Sequence, residues 1–266
     1  DDQAAFAERY GPWAIVAGAS DGTGEAFARE LAARGVDVVL VARRRTLLEE
    51  VAASLPCRTR VVELDLSSPD ATAALVAATA DLAIGCVIYN AGGDAHHTTF
   101  LDHDLDELHA MARRNTVTLL EVAHHYGASM VERGRGGLVV VSSFAGWAGA
   151  SHAALYSATK AFVSSFTNAI HEELKGTGVK AMVLAPGFTR TEFHVRAQID
   201  NTDSMPGFLW QSADEVAKIA LKSYKRGRAV CVPGAMNSVA AALSALMLYG
   251  GLTLSICSTS GAAPAR

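Results

Sequence analysis

Short apolar runs alternate with longer amphipathic stretches along most of this chain. The apolar runs, rich in Val, Ile and Leu, cover residues 13–18, 36–42, 59–64, 86–89, 138–142, 179–184 and 229–232. Helical patterns cover residues 25–34, 46–55, 105–133, 153–174 and 212–226. Strands this apolar are buried on both faces, which is typical of a parallel sheet covered by helices. The pattern therefore predicts an α/β fold, a doubly wound parallel sheet of about seven strands.

Two segments depart from this alternation. Residues 189–211 have little periodicity and combine a Pro206-Gly207 break with Phe208, Leu209 and Trp210, which look exposed. Long irregular insertions in compact domains are usually functional, so we expect a substrate lid; a rigid pair of surface helices is the alternative. With no repeat or linker, residues 1–266 are predicted to form one domain.

The second unusual segment is an apolar C-terminal helix expected at about 236–257. Its charge-free run, Val239–Cys257, is long enough to span a membrane, although Gly250-Gly251 interrupts it. A helix packed on the core, a subunit interface or the substrate pocket is the preferred interpretation. Peripheral membrane contact and a true span remain open.

Composition narrows the function classes. With 50% hydrophobic and 19% charged residues, the chain is not a disordered protein. A net charge of −4 without a basic patch argues against a nucleic-acid partner. Four cysteines without a CxxC pair predict reduced thiols and a cytoplasmic protein, and no signal peptide is expected. No metal site is expected, because His96-His97 has no ligand-type residue at a suitable spacing.

A glycine-rich turn follows the first predicted strand. It reads Gly18-Ala19-Ser20-Asp21-Gly22-Thr23-Gly24 and leads into a helix. Glycines allow the backbone to approach a pyrophosphate, and the helix N-terminus supplies N–H groups and a positive dipole end. Three glycines alone would also fit a simple tight turn, but their place between strand and helix favours dinucleotide binding.

The end of the second strand indicates which dinucleotide binds. An acidic residue there binds the ribose hydroxyls of NAD, whereas this chain has Arg43-Arg44-Arg45. A guanidinium can bind a 2′-phosphate through two hydrogen bonds. We therefore predict NADP(H), with Arg43 as the first candidate and Arg44 as the second. A solvated basic helix start is the alternative.

The candidate reaction centre is Tyr156-Ser157-Ala158-Thr159-Lys160. Tyr156 and Lys160 are four residues apart, so a helix places them on one face. An ammonium group lowers the pKa of a neighbouring phenol, which makes the pair a plausible proton donor and acceptor for a carbonyl–alcohol couple. Ser143 lies 13 residues before Tyr156, at the end of a predicted strand where ligands of such sheets bind. Ser142 is the weaker alternative.

Together these motifs resemble the short-chain dehydrogenase/reductase family, whose fold is Rossmann-like. The family turn usually reads TGxxxGxG; here Ala17 and Thr23 replace its usual threonine and isoleucine. Asn90-Ala91-Gly92 matches the family's NAG turn. Pro186-Gly187-Phe188-Thr189-Arg190-Thr191 matches its PGxVxT, with Thr189 replacing valine. The resemblance covers nearly the whole chain and is weakest over the last 55 or so residues.

The resemblance implies roles for particular residues. It implies a catalytic tetrad of Asn115, Ser143, Tyr156 and Lys160, in which Asn115 bends its helix and holds a water. The predicted cofactor-binding residues are Gly18, Ser20, Asp21, Gly22, Thr23, Gly24, Arg43, Arg44, Asp65, Leu66, Asn90, Ala91, Gly92, Tyr156, Lys160, Pro186, Gly187, Thr189 and Thr191. Asp65 would contact the adenine amine, or cap the next helix instead. Asn115 could alternatively be an ordinary surface residue.

Within the family, Tyr10-Gly11-Pro12-Trp13-Ala14 and the Ser20-Asp21-Gly22 turn resemble the branch of 17β-hydroxysteroid dehydrogenases and 3-ketoacyl reductases. The resemblance implies NADPH-dependent, reversible reduction of a ketone on an apolar substrate such as a steroid, aryl ketone or 3-oxoacyl compound. It also implies a homodimer or homotetramer formed through residues 105–133 and 153–174. A non-catalytic NADP-binding regulator and a membrane-associated lipid ketoreductase are the alternatives. His96 and His152 are candidates to line the pocket.

Overall fold

The computed structural model describes residues 2–93, 98–147, 149–191, 207, 210–234 and 237. Its centre is a seven-stranded parallel sheet. In chain order the strands are β1 (Trp13–Ala17), β2 (Asp37–Ala42), β3 (Thr59–Glu63), β4 (Ile84–Tyr89), β5 (Gly136–Val141), β6 (Val179–Leu184) and β9 (Val230–Cys231). The two short strands β7 (Thr189–Arg190) and β8 (Gln211–Ser212) pair separately. All seven predicted strands of the main sheet are present.

Eight α-helices flank these strands in the described residues. They are α1 (Asp2–Tyr10), α2 (Gly22–Ala32), α3 (Arg45–Ser54), α4 (Ala71–Ala78), α5 (Leu105–Ala112), α6 (Thr118–Glu132), α7 (Ala154–Glu173) and α8 (Ala213–Lys225). One apolar core lies between the sheet and α1, α2, α3 and α8. The other lies between the sheet and α4, α6 and α7. The predicted covering of both faces is confirmed.

The strand order creates the crevice in which ligands of such folds bind. The order is β3-β2-β1-β4-β5-β6-β9, so the chain reverses direction across the sheet between β1 and β4. Ala17, at the end of β1, pairs with Val41 of β2 and with Tyr89 of β4. The loops that leave β1 and β4 therefore diverge from the same edge, where a dinucleotide can enter.

Three features differ from the sequence expectations. The continuous helix predicted at 105–133 is interrupted by a π-helical turn, Arg113–Val117, between α5 and α6. Helix α1 was not predicted; it packs into the core through Phe6 and Tyr10. Ser67-Ser68-Pro69 has the sequence of a helix cap with proline in the first turn, yet α4 begins later, at Ala71, after Asp70. By contrast, the helix predicted at 212–226 is present as α8, which Ser212 caps through a capping box with Glu215.

Several predictions fall outside the described residues. They concern most of the lid at 189–211, the C-terminal helix at 236–257 apart from Asn237, and His96 and His97. Within the described ranges, no helix has the length and apolarity needed to cross a membrane. Of the cysteines there, Cys57, Cys86 and Cys231 are free thiols.

Candidate active site

The glycine-rich turn connects β1 to α2 in a conformation that requires glycine. Gly18 and Gly22 have φ values of +83° and +56°, in the left-handed region that side chains disfavour. At Gly24, a Cβ would lie 1.9 Å from the carbonyl oxygen of Gly18. Asn90 fixes the turn to β4, because its Nδ2 donates to that same oxygen at 3.2 Å. The turn therefore holds α2 close behind β1 with its N-terminus at the crevice.

The N-terminus of α2 fits an anionic group. Asp21 occupies the N-cap position, but its side chain makes no capping hydrogen bond. Instead it forms an ion pair with Arg44, whose Nη2 also donates to the Ser20 hydroxyl at 3.0 Å. The first N–H groups of the helix thus receive no hydrogen bond from the Asp21 side chain, and together with the helix dipole they suit a pyrophosphate.

The three arginines after β2 occupy different environments. Arg45 pairs with Glu49 on its own helix, Nε to Oε1 at 2.7 Å. Arg44 closes over the glycine-rich turn, as described above. Arg43 is exposed at the carboxyl end of β2, next to the crevice. Arg43 is predicted as the first candidate for the 2′-phosphate and Arg44 as the second. In the structure Arg43 is exposed, whereas Arg44 already pairs with Asp21.

The loop after β3 carries Asp65 and Leu66. Oδ1 of Asp65 accepts from the backbone N–H of Ser67 at 2.9 Å, which stabilises the loop itself. The alternative role of Asp65 as a cap of the next helix is not observed, because Asp70 precedes α4. Leu66 is buried, and its carbonyl accepts from the hydroxyl of Thr118 at 2.8 Å. The loop is therefore attached to the first residue of α6.

Lys160 lies beneath the crevice with its side chain almost fully buried. Its Nζ donates to the carbonyl of Val141, at the end of β5, at 2.8 Å. The same atom lies 5.6 Å from the centre of the Tyr156 ring, so the two side chains face each other as the i, i+4 spacing predicts. Burial, together with the nearby charge of Arg114, lowers the pKa of Lys160 from 10.5 to about 7.

Asn115 lies in the π-helical turn and is buried, not on the helix surface. Its Nδ2 donates to the Thr159 hydroxyl at 3.0 Å. Its Oδ1 is buried and accepts no hydrogen bond from the described residues. A Cβ on Gly92 would lie 2.9 Å from Nζ of Lys160 and 3.4 Å from this Oδ1, so both atoms border the same glycine. An orphaned acceptor beside a buried ammonium suits an ordered water.

The two adjacent serines have separate roles. Ser142 is buried, and its hydroxyl donates to the carbonyl of Lys160 at 2.8 Å, which joins β5 to α7. Ser143 is half-buried, and its Oγ accepts from the N–H of Ala145 at 3.2 Å. The hydroxyl proton of Ser143 can still be donated to a ligand. The structure thus favours Ser143 over Ser142 as the residue that meets a substrate.

The Pro186-Gly187 turn follows β6 and closes the crevice. Thr189 is buried, and its hydroxyl donates to the carbonyl of Gly187 at 3.1 Å. Thr191 packs against the glycine-rich turn: a Cβ on Gly22 would lie 2.8 Å from its Cγ2. The first and last predicted cofactor motifs are therefore neighbours.

The base of the predicted lid is ordered by short contacts. Strands β7 and β8 pair where the segment leaves and returns, and the rings of Phe188 and Trp210 are 5.4 Å apart. Trp210, which looked exposed in the sequence, is half-buried.

Two residues that the sequence did not single out contact this region. Nδ2 of Asn237 donates to the Gln211 side chain at 3.3 Å and to the Pro233 carbonyl at 3.0 Å. Its side chain also lies against Gly187. Arg114, one residue before Asn115, reaches the loops after β3 and β4. No local pattern marks either residue, because their partners are distant in sequence.

Comparisons with known proteins show the family to which this chain belongs. A family model described as short chain dehydrogenase matches residues 12–202. A 7β-hydroxysteroid dehydrogenase of Clostridium sardiniense is 38% identical over 194 residues, which are 70% of this chain and 72% of that protein. The very-long-chain 3-oxoacyl-CoA reductase of Rattus norvegicus is 32% identical over 198 residues, which are 72% of this chain and 64% of that protein.

A solved structure is also similar over nearly its whole length. The short-chain dehydrogenase from Sphingobium yanoikuyae in complex with NADPH has a TM-score of 0.80 and 30% identity, covering 96% of this chain and 98% of that one.

The fold and the matches define a nicotinamide-dependent oxidoreductase of CH–OH and C=O groups. The chain belongs to the short-chain dehydrogenase family. The predicted family, Rossmann-like fold and enzyme class are confirmed.

Proposed function

We propose that this protein reduces the ketone of an apolar substrate with NADPH and catalyses the reverse oxidation of the secondary alcohol. The proposal is carried by the convergence of Lys160, Tyr156 and Asn115 at the carboxyl edge of the sheet, beside the Pro186-Gly187 turn. NADPH is the ligand of the Sphingobium protein, which supports the same cofactor here.

The proposed cofactor site follows the edge of the sheet. The N-terminus of α2, where the Asp21 side chain makes no capping hydrogen bond, would receive the pyrophosphate, and Arg43, with Arg44 beside it, would bind the 2′-phosphate. Asp65 would contact the adenine, and Thr189 and Thr191 would hold the carboxamide end. When bound, NADPH supplies the hydride.

Tyr156 is proposed to donate the proton that the carbonyl oxygen gains during reduction, while the Ser143 hydroxyl donates a hydrogen bond to that oxygen. Lys160, with a pKa of about 7, can release and regain a proton near neutral pH. A water that donates a hydrogen bond to Oδ1 of Asn115 would connect Lys160 to solvent. In the alcohol-oxidising direction the same groups move the proton the opposite way.

The substrate class follows from the relatives and from the site's lining. The matched proteins are named for a hydroxysteroid and for a very-long-chain 3-oxoacyl-CoA. Near Ser143, Phe144 and Trp147 contact edge to face at 5.6 Å, and Phe188 and Trp210 form the lid base. Aromatic surfaces of this size suit a steroid or a long acyl chain better than a small polar ketone.

The deciding experiment measures NADPH oxidation by absorbance with a panel of steroid, aryl and acyl-thioester ketones. We expect turnover with at least one apolar ketone, and none with the Tyr156→Phe protein. If the wild-type protein binds NADPH but turns over no ketone of the panel, the proposed reaction is wrong.

We further propose that residues 1–266 form one cytoplasmic domain and that the protein is a homodimer or homotetramer. Val117, Leu120 and Val131 are exposed apolar side chains on the π-helical turn and α6, as a helix-mediated interface requires. Light scattering at micromolar concentration should give at least twice the monomer mass, and a monomer would contradict the proposal.

A further inference from the structure

Arg114 joins two loops of the cofactor crevice that are far apart in sequence. Its Nη1 donates to the Ser67 hydroxyl at 3.2 Å, in the loop after β3. Its Nη2 donates to the carbonyl of Gly93 at 2.8 Å, in the loop after β4. Ser67 directly follows Asp65-Leu66, and Gly93 directly follows Asn90-Ala91-Gly92. One guanidinium therefore holds together two of the proposed cofactor-binding loops.

The backbone of the π-helical turn is attached to the same loops. The Tyr89 hydroxyl, at the end of β4, donates to the carbonyl of Arg114 at 2.7 Å. The Thr118 hydroxyl donates to the carbonyl of Leu66 at 2.8 Å. These bonds set the orientation of the turn that carries Asn115. The backbone and the side chain of Arg114 thus link the turn that carries Asn115 to both loops.

Arg114 and Lys160 border adjacent residues of the loop after β4: Nη2 of Arg114 donates to the Gly93 carbonyl at 2.8 Å, and a Cβ on Gly92 would lie 2.9 Å from Nζ of Lys160. Among the described residues, the titratable side chain of Tyr156 from α7 faces the Lys160 ammonium, and the charge of Arg114 on the π-helical turn lowers the pKa of Lys160. Strand β5 contributes the Val141 carbonyl, and the β4 loop contributes the backbone of Gly92. Because Arg114 is positively charged, it disfavours the protonated form of Lys160.

We propose that Arg114 is a positioning residue with two separable effects: its fork of donors aligns the loops that hold NADPH, and its charge sets the pH range of proton transfer through Lys160. This inference rests on the proposed function.

Two variants separate the effects. Arg114→Lys keeps the positive charge but loses the fork that spans Ser67 and Gly93. Arg114→Gln loses the charge as well. The matched control is Arg113→Gln, which removes a charge from the same turn, since Arg113 donates to neither loop within the part of the chain that the structure describes. The measurements are NADPH dissociation constants, by tryptophan fluorescence, and kcat/KM for ketone reduction between about pH 6 and pH 9.

Both variants should bind NADPH about three- to tenfold more weakly, and Arg113→Gln should bind it like the wild type. In the direction of ketone reduction, kcat/KM should fall as the pH rises, because Lys160 loses the proton that it must supply. Without the charge of Arg114, Lys160 retains its proton to higher pH. For Arg114→Gln, the ratio of kcat/KM at about pH 9 to that at about pH 6 should therefore rise about threefold. Arg114→Lys should keep the wild-type ratio.

If both Arg114 variants bound NADPH with the dissociation constant of the wild type, the role of Arg114 in loop alignment would be wrong. The role of the charge would be wrong if Arg114→Gln left the ratio of kcat/KM at the two pH values unchanged. It would also be wrong if Arg114→Lys changed that ratio as much as Arg114→Gln does. Failure of the proposed function is distinguishable, since wild-type protein would then reduce no ketone. The dissociation constants still test loop alignment in that case.

Discussion

The guanidinium of Arg44 forms an ion pair with Asp21, the residue that precedes the first turn of α2. A free carboxylate at this position would repel a pyrophosphate, and it would also compete for the N–H groups that the helix presents. The pairing with Arg44 offsets both effects in part. It also commits Arg44 to the glycine-rich turn and leaves the exposed Arg43 as the better candidate for a 2′-phosphate.

Arg43→Asp should change the cofactor preference. A guanidinium attracts the 2′-phosphate and a carboxylate repels it, so kcat/KM for NADPH should fall by about tenfold or more relative to NADH. Steady-state kinetics with both cofactors provide the measurement. Arg45→Asp is the matched control, because Arg45 pairs with Glu49 and should not affect the preference. A wild-type protein that already prefers NADH would show that Arg43 has no such role.

Tyr156→Phe should nearly abolish turnover while leaving cofactor binding intact. The substitution removes only the hydroxyl, and general acid catalysis contributes roughly 10²- to 10⁴-fold to a rate. We expect kcat to fall by at least about 100-fold, with the NADPH dissociation constant within about twofold of wild type. Substantial activity at neutral pH would be incompatible with Tyr156 as the proton donor.

The buried Lys160 should make stability depend on pH. Its pKa is about 7 in the folded protein and near its ordinary 10.5 in the unfolded chain. Between these values only the unfolded chain holds the proton, so this group's contribution to the free energy of unfolding rises with pH, by about 1.4 kcal/mol per pH unit. Below about pH 7 both states are protonated, and the cost of the buried charge is fully present.

Lys160→Met removes this dependence. Urea unfolding measures the free energy of unfolding of Lys160→Met minus that of the wild type. This difference should be highest at about pH 6 and should fall by about 2 to 3 kcal/mol by pH 9, because the wild type gains stability over that range. Lys175→Met is the control, since Lys175 is exposed and pairs with Glu172 on the surface. A difference between Lys160→Met and wild type that is constant over this range would mean that Lys160 titrates normally.

Gly22→Ala should weaken cofactor binding through its contact with Thr191. The new Cβ would lie 2.8 Å from Cγ2 of Thr191, and φ is +56°. We expect a loss of about 1 to 3 kcal/mol in stability and about tenfold weaker NADPH binding. Gly176→Ala is the matched control, because φ there is +83° and no atom lies within 4 Å of the added Cβ.

The control should lose stability through backbone strain but bind NADPH normally. Adding Thr191→Ser to Gly22→Ala removes the clashing methyl group while keeping the hydroxyl, so it should restore part of the affinity. Equal effects of the two glycine substitutions on NADPH binding would argue against a specific contact.

The lid proposed for residues 189–211 should become protected when ligands bind. Its base is held by β7 and β8 beside the Pro186-Gly187 turn, so its closure would exclude water from the reaction centre. Amide hydrogen exchange over 190–210 should slow when NADP⁺ and substrate are added together. Equal exchange with and without ligands would mean that another segment closes the pocket.

The strands and the chemical motifs could be predicted from sequence, because both depend on local patterns. Apolar runs such as those around Val16 and Val139 are buried wherever they occur in a parallel sheet. The four-residue spacing of Tyr156 and Lys160 places them together on any helix. The glycine-rich turn is likewise defined by neighbouring residues.

The tertiary structure decided the features that depend on partners distant in sequence. The π-helical turn at Arg113–Val117 interrupts a pattern that is helical throughout, and its Asn115 is bonded to Thr159 on another helix. Arg114 has a structural and electrostatic role only because the fold brings Ser67, Gly93 and Lys160 around it. A linear pattern specifies which side chains face the core, whereas hydrogen bonds and charge interactions depend on where the other elements place their atoms.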